Sequence, residues 1–386
     1  MKKRTILSCG IAVILCVGSI CPAFAQQSPD FAYTEEQWAA FRDNVLEFDE
    51  IDELVHEYNP TVLKNALDYK DYTGKSSTDI SDSYYQAAEQ IYNNMSYPDD
   101  GAANYAGGIT SYLNAEISYE NLMEQGDKNT NDAETYRLNY ARQEANLVKQ
   151  AQQLMINYWS QYYGLESARN QVTSAQNNLT AAQHRLAAGT GTQNSVLTAE
   201  QALTTAQNAL VTAETSLNTT KENLCLMLGW GYGAEVDIRP LPELDPAVIA
   251  AIDLNADIDA AKAENFSLRQ TERQLQNAQT YTVKEQLTVT RDTAVRKIES
   301  NVSELYRSMQ QSLTELAAAQ ETFGARSADM AAAERKRAAG MMTEKDYQSA
   351  ASAYRNAAAQ NEVRKLAVRT AYVNYQAAVH GLASTE

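Results

Sequence analysis

The stretch Arg185–Leu210, RLAAGTGTQNSVLTAEQALTTAQNAL, sets a glycine turn in front of an alanine-rich helical pattern, and it returns in eroded form as Lys336–Gln360, KRAAGMMTEKDYQSAASAYRNAAAQ. Ahead of the first turn, apolar or small residues run from Ala145 through Met155, Leu165 and Leu179 to Leu186 in steps of three and four. A mean step of about 3.5 residues marks the seam of a coiled coil. The seam resumes beyond the turn at Val196, Leu203, Leu210 and Leu217, so the stretch reads as the tip of an antiparallel helical hairpin with Gly189 at positive φ. Val302, Leu305 and Met309 carry the same spacing toward Gly340, where a second hairpin turns into a helix near Thr343. A helix over 294–337 is expected to be about 65 Å long, a length no compact core needs.

The repeat is wider than its turns, because HEYNPTVL around Asn59 matches KAENFSLR around Asn265, each opening a helical pattern. The turns lie 151 residues apart (340 − 189) and the helix starts 206 apart (265 − 59), so the first copy holds 55 extra residues (206 − 151). These fall between Tyr72 and Asp132, where loop-like stretches separate helical, tyrosine-rich ones. Glycines and prolines in GWGYGAEVDIRPLPELDP, Gly229–Pro246, exclude a continuous helix there. The expected organisation is a signal peptide over 1–25, an N-terminal segment over 26–58, a first helical repeat over 59–228 with its tip near 187–195, a linker over 229–258, and a second repeat over 259–386 with its tip near 338–346.

The opening MKKRTILSCGIAVILCVGSICPAFA has a basic start, an apolar run and a closing Ala23-Phe24-Ala25, the pattern of an export signal. Cys9, Cys16 and Cys21 leave with it, so Cys225 alone remains and no intrachain disulfide is expected. Loss of Lys2, Lys3 and Arg4 takes the formal charge from −17 to −20 (−17 − 3). That balance argues against nucleic acid and anionic lipid; it suits a solvated acidic surface, or an acidic lumen that favours cations. Beyond the signal no apolar run reaches the ~18 residues of a membrane span.

His56, His184 and His380 are scattered without another ligand at metal spacing, and no phosphate loop or nucleophile elbow occurs. The expectation is therefore no enzyme, no cofactor and no metal. Tyrosine is over-used, 23 against 6 Phe, with Tyr84, Tyr85, Tyr92, Tyr97, Tyr105, Tyr112 and Tyr119 in the extra segment. A ring that packs while its hydroxyl stays wet suits a hydrated bundle, or a ligand or carbohydrate surface.

With these residues in view, the sequence resembles the TolC-like outer-membrane efflux family, whose members repeat the pattern R-x-x-x-G-x-x-S-x-x-D-x-L-x-A-x-x-x-L-x-x-A. The first copy offers Arg185, Gly189, Thr192 for Ser, Ser195 for Asp, Leu197, Ala199, Leu203 and Ala206. The second offers Lys336 for Arg, Gly340, Thr343, Asp346, Ala350, Tyr354 and Ala357, with Gln348 in place of the Leu. The resemblance implies a homotrimeric α-helical tunnel. Its glycine turns form a tip that docks a membrane-fusion adaptor and an inner- or cytoplasmic-membrane transporter. It also implies a gate near Ser195, Arg337, Met342, Asp346 and Ser349; of these only Asp346 keeps the acidic character of the family's lock, and Arg337 could pair with it across the turn.

The family's β-barrel is harder to place. Only 75 residues separate Asn265 from Gly340 (340 − 265), and of these only TYTVKEQLTVT, Thr280–Thr290, offers a short strand. A membrane-spanning strand takes about 9–11 residues, and the extra residues of the first copy lack alternation. The fold class expected is all-α: elongated antiparallel coiled-coil hairpins in two tandem repeats, with little or no barrel. The function expected is an exported channel component of a tripartite efflux or type I secretion system in the cell envelope. The alternative is a non-conducting coiled-coil spacer or adhesin. An adaptor would need β-rich halves flanking one hairpin, and the chain has two hairpins.

Overall fold

The computed structural model describes residues 33–41, 43–101 and 103–386; the signal peptide expected over 1–25 lies outside them. The chain enters through α1 (Glu35–Phe41), β1 (Val45–Leu46), α2 (Ile51–Tyr58) and α3 (Pro60–Lys70). Asn59 divides α2 from α3 because its Oδ1 accepts from the Thr61 and Val62 amides at 2.9 and 3.4 Å. Pro60 at the first helical position has no amide left to satisfy.

The extra segment is a second kind of hairpin, α4 (Ser77–Asn94) and α5 (Tyr105–Lys128). Ser76 and Asp79 cap α4 reciprocally, at 3.2 and 2.8 Å. Tyrosine pairs join its helices, Tyr92 with Tyr119 and Tyr97 with Tyr112, at centroid distances of 5.6 and 5.3 Å. Then come the long elements: α6 (Ala133–Ala187) with α7 (Gln193–Met227), β2 (Asp237–Ile238), α8 (Pro246–Ala250), α9 (Leu254–Glu264), α10 (Phe266–Asn277), and α11 (Tyr281–Ala338) with α12 (Glu344–Ala377). At 55 and 58 residues, α6 and α11 are about 82 and about 87 Å long.

Thr280–Thr290 is therefore helix and not strand, which corrects the sequence expectation. The reason is local: the Thr288 and Thr290 hydroxyls donate to the carbonyls of Lys284 and Gln286 one turn earlier, at 2.8 and 2.9 Å, so their branching is accommodated within the helix. Among the described residues strand is confined to β1 and β2, which pair in parallel with Val45 opposite Asp237 and Leu46 opposite Ile238. No closed barrel is formed by them, and no helix among them is long and apolar enough to cross a membrane.

The four long helices make one layer in the order α7, α6, α12, α11, so α7 and α11 are its edges. Gln153 donates to Asn374 at 2.6 Å. The first lies 36 residues before Gly189 (189 − 153), the second 34 after Gly340 (374 − 340). Both turns therefore lie at the same end of the layer. At the opposite end α3 and α10 pack on the first turns of α6, and the α4–α5 hairpin projects beyond them.

Two junctions repeat each other and lock the layer. Asn59 Nδ2 donates to the Met227 carbonyl at 2.8 Å, where α7 ends, and Asn265 Nδ2 donates to the Ala383 carbonyl at 2.9 Å, just past α12. Asn265 Oδ1 caps α10 through the Leu268 amide at 3.0 Å. One buried core joins the N-terminal segment and linker to α6 and α7 through Leu46, Ile51, Val55, Met155, Leu224 and Ile238. The other joins α9 to α12 through Ile258, Ile298, Val302, Met309 and Tyr375.

Candidate functional site

The two tips share one construction. Gly189 and Gly340 adopt φ of 71° and 69°, and a Cβ at either would meet nothing within 4 Å. Backbone conformation alone therefore demands glycine there, where each turn closes a helix in the left-handed region. The Thr190 and Gly191 amides both return to the Arg185 carbonyl at 2.9 Å, and the Met341 amide returns to Lys336 at 2.8 Å. Arg185 Nε donates to the Ala181 carbonyl at 3.2 Å.

The next helix opens alike in both copies. Thr192 accepts from the Ser195 amide at 3.2 Å, and Thr343 accepts from the Asp346 amide at 3.2 Å. Ser195 Oγ then donates to the Thr192 carbonyl at 2.6 Å, while Asp346 receives the Thr343 hydroxyl at 2.7 Å. The position where the resemblance places a gating acid is thus bonded to the N-cap threonine of its own helix in each copy.

Arg337 consequently does not pair with Asp346. It reaches Glu344 at 2.9 Å and lies over the Tyr347 ring at 4.1 Å, a correction to the sequence expectation. The carboxylate of Asp346 is held by the Thr343 hydroxyl, whereas Glu344, the first residue of α12, faces the end of α11. Both members of the Arg337–Glu344 pair are about half exposed, so the pair contributes about 0–1 kcal/mol. Among the described residues no hydrogen bond or ion pair links Arg185, Gly189 or Ser195 to the second tip.

Lys336, Met342 and Ser349 come together in a groove of about 360 Å³ between α11 and α12, beside Arg326, Asp329 and Ala333. Arg335, Lys336 and Arg337 end α11, where cations complement the helix dipole. These cations stand among acids at the second tip, Glu334, Glu344 and Asp346. The tip contains no nucleophile with a base in reach, and among the described residues no cluster of His, Cys, Asp or Glu could hold a metal.

The seam residues divide by element. Val302 and Met309 on α11 are fully buried and Leu305 is half-buried. Leu203, Leu210 and Leu217 were expected to be buried and are only half-buried. They stand on α7, which packs on α6 alone among the long helices, whereas this part of α11 also has α9 and α12 around it.

No family model matches the sequence, and no curated relative does. The folded chain does match solved channels over nearly its whole length. CusC, described through its folding and transmembrane channel formation, aligns with a TM-score of 0.54 at 11% identity, over 93% of this chain and 98% of that one. The fold is that of the TolC-type efflux channels. The CmeC outer membrane channel of Campylobacter jejuni aligns at 0.51 and 10% identity over 100% of this chain and 95% of its own. The outer-membrane channel OprN aligns at 0.50 and 11% over 93% and 94%. Within the TolC-type fold the present chain carries the helical α4–α5 arm at the end away from the tips.

Proposed function

We propose that this chain is the exported channel component of a tripartite efflux or type I secretion system, a homotrimer that conducts small molecules or exported polypeptides. A membrane-fusion adaptor, itself bound to a transporter, docks at the glycine tips. The observation that carries this reading is the open four-helix layer. On the α7 edge Leu197 and Val211 are 51% and 60% exposed, and neither edge is covered by a further long helix. A head-to-tail contact of one α7 edge with the next α11 edge closes a ring after a few copies. The fold shared with outer-membrane channels supports the same conclusion.

Light scattering on the mature chain at micromolar concentration should give a trimer, Val211→Asp on the exposed edge should return it to folded monomers, and Leu210→Asp, a charge in the seam, should dissociate or unfold the bundle. A wild-type chain that stays monomeric would overturn the proposal. The helical arm, standing where the resemblance calls for barrel strands, favours a second reading as a non-conducting envelope spacer. Particle images separate the two, since a channel is a hollow cylinder and a spacer a solid rod.

A further inference from the structure

The linker has a second consequence. Pro240 and Pro242 keep residues 240–245 from coiling into helix before Pro246 opens α8, and this strap lies across α6, α11 and α12. Beneath it is a pocket of about 420 Å³, walled by Trp159 and Tyr163 of α6, Leu313 and Leu316 of α11, and Leu244 and Ile249. Trp159 holds the strap by donating Nε1 to the Arg239 carbonyl at 2.9 Å. Ligand sites typically occupy about 300–1,000 Å³ and combine apolar walls with a few placed polar groups.

Two carboxylates, Glu243 and Glu362, and two cations line this pocket, and the cations differ. Lys365 is answered by Glu362 at 2.9 Å and Glu243 at 3.9 Å. Arg369 has no ion pair among the described residues; its guanidinium lies over the Phe48 ring at 4.4 Å, and its Nε is buried without a hydrogen-bond partner. Burial holds that guanidinium below its ordinary range, against the opposing pull of Asp49 and Tyr372. Desolvated cations in proteins are paired, and this chain has 49 acids for 32 bases. An arginine whose buried Nε has no hydrogen-bond partner, beside an apolar cavity, can receive an anion.

We propose that the pocket binds a small amphipathic anion, with its apolar body between Trp159, Tyr163 and Leu316 and its acidic head on Arg369. The site stands whether or not the chain conducts.

Calorimetric titration of the mature chain with decanoate, decanol and decyltrimethylammonium tests the charge and the apolar wall separately. Decanoate should bind about tenfold or more tighter than the other two, as a charge-assisted contact implies. Arg369→Gln should remove that preference while decanol binding stays, Arg369→Lys should restore part of it, and Leu316→Trp should block all three. Circular dichroism identifies variants that have not folded. If Arg369→Gln is among them, the wild-type preference and Leu316→Trp decide. No binding of decanoate, equal binding of the cationic probe, or indifference to Leu316→Trp would each overturn the site.

Discussion

The two repeats follow one plan and part at a single joint. Between α3 and α6 the chain detours for 62 residues (132 − 70), and between α10 and α11 it takes three (280 − 277). The layer is built alike on both sides of that difference, which shows that its geometry does not depend on what is inserted. The arm is sealed at its base by the Ala133 amide on the Lys75 carbonyl at 3.0 Å and by Asn129 Nδ2 on Ser77 at 2.9 Å. Its helices pack chiefly on each other. The joint itself is Asp132, which caps α6 through the Thr135 amide at 3.0 Å and binds Arg273 of the second repeat at 2.6 Å.

The largest effect should come from the locks that the repeats share. Asn59→Ala and Asn265→Ala each remove a cap and strand a buried carbonyl, and each should cost about 2–4 kcal/mol in denaturant unfolding. Losses that differ by more than about 2 kcal/mol would show that the repeats are unequal in this respect.

Next in size is Asp132→Asn, which keeps the cap and loses the ion pair, for about 1–2 kcal/mol at neutral pH. Burial pushes the Asp132 carboxyl up, but hydrogen bonds from Asn277, the Thr135 amide and Arg273 outweigh it, and the group sits below its ordinary range. Its contribution is therefore complete above pH ~4 and fades as pH falls through the folded value. The gap between variant and wild type should narrow as pH falls below ~4; a gap that stays constant or widens there would refute the assignment.

Replacing 78–128 with Gly-Ser makes the first joint resemble the second. The unfolding free energy should change by no more than about 1 kcal/mol, because the arm rests on its own contacts. Loss of cooperative unfolding would mean that the arm organises the layer.

The smallest effect is a pH response confined to the first repeat. His56 titrates above its ordinary value, chiefly through its 2.6 Å hydrogen bond with Glu144, against the opposing effect of burial. A raised value means the contact is fully present below pH ~6.5 and is lost as pH rises through the folded value. Thermal midpoints should fall slightly over that window, and Glu144→Gln should flatten the slope.

Much of this was legible in the residues. Three-and-four spacing located the long hairpins, the glycines located the tips, and the difference between 206 and 151 located the arm. Thr280–Thr290 misled because branched residues favour strands on average, while threonine bonded to the preceding turn sits in a helix without strain. Arg337 was matched to the wrong carboxylate because spacing cannot show that Thr343 already holds Asp346. The half-exposure of Leu203, Leu210 and Leu217 depends on which helix lies at an edge, a property of the assembled layer. Arg369 gave no signal at all, since its isolation arises only when the strap and Phe48 fold over α12.

Both α6 and α11 run from the joint end to the tips without a proline. With no proline to break them, these rods carry a small tilt at the joint end, where Asp132 and Arg273 link the repeats, along to the tips. Over about 82 Å, a tilt of about 5° displaces a tip by about 7 Å.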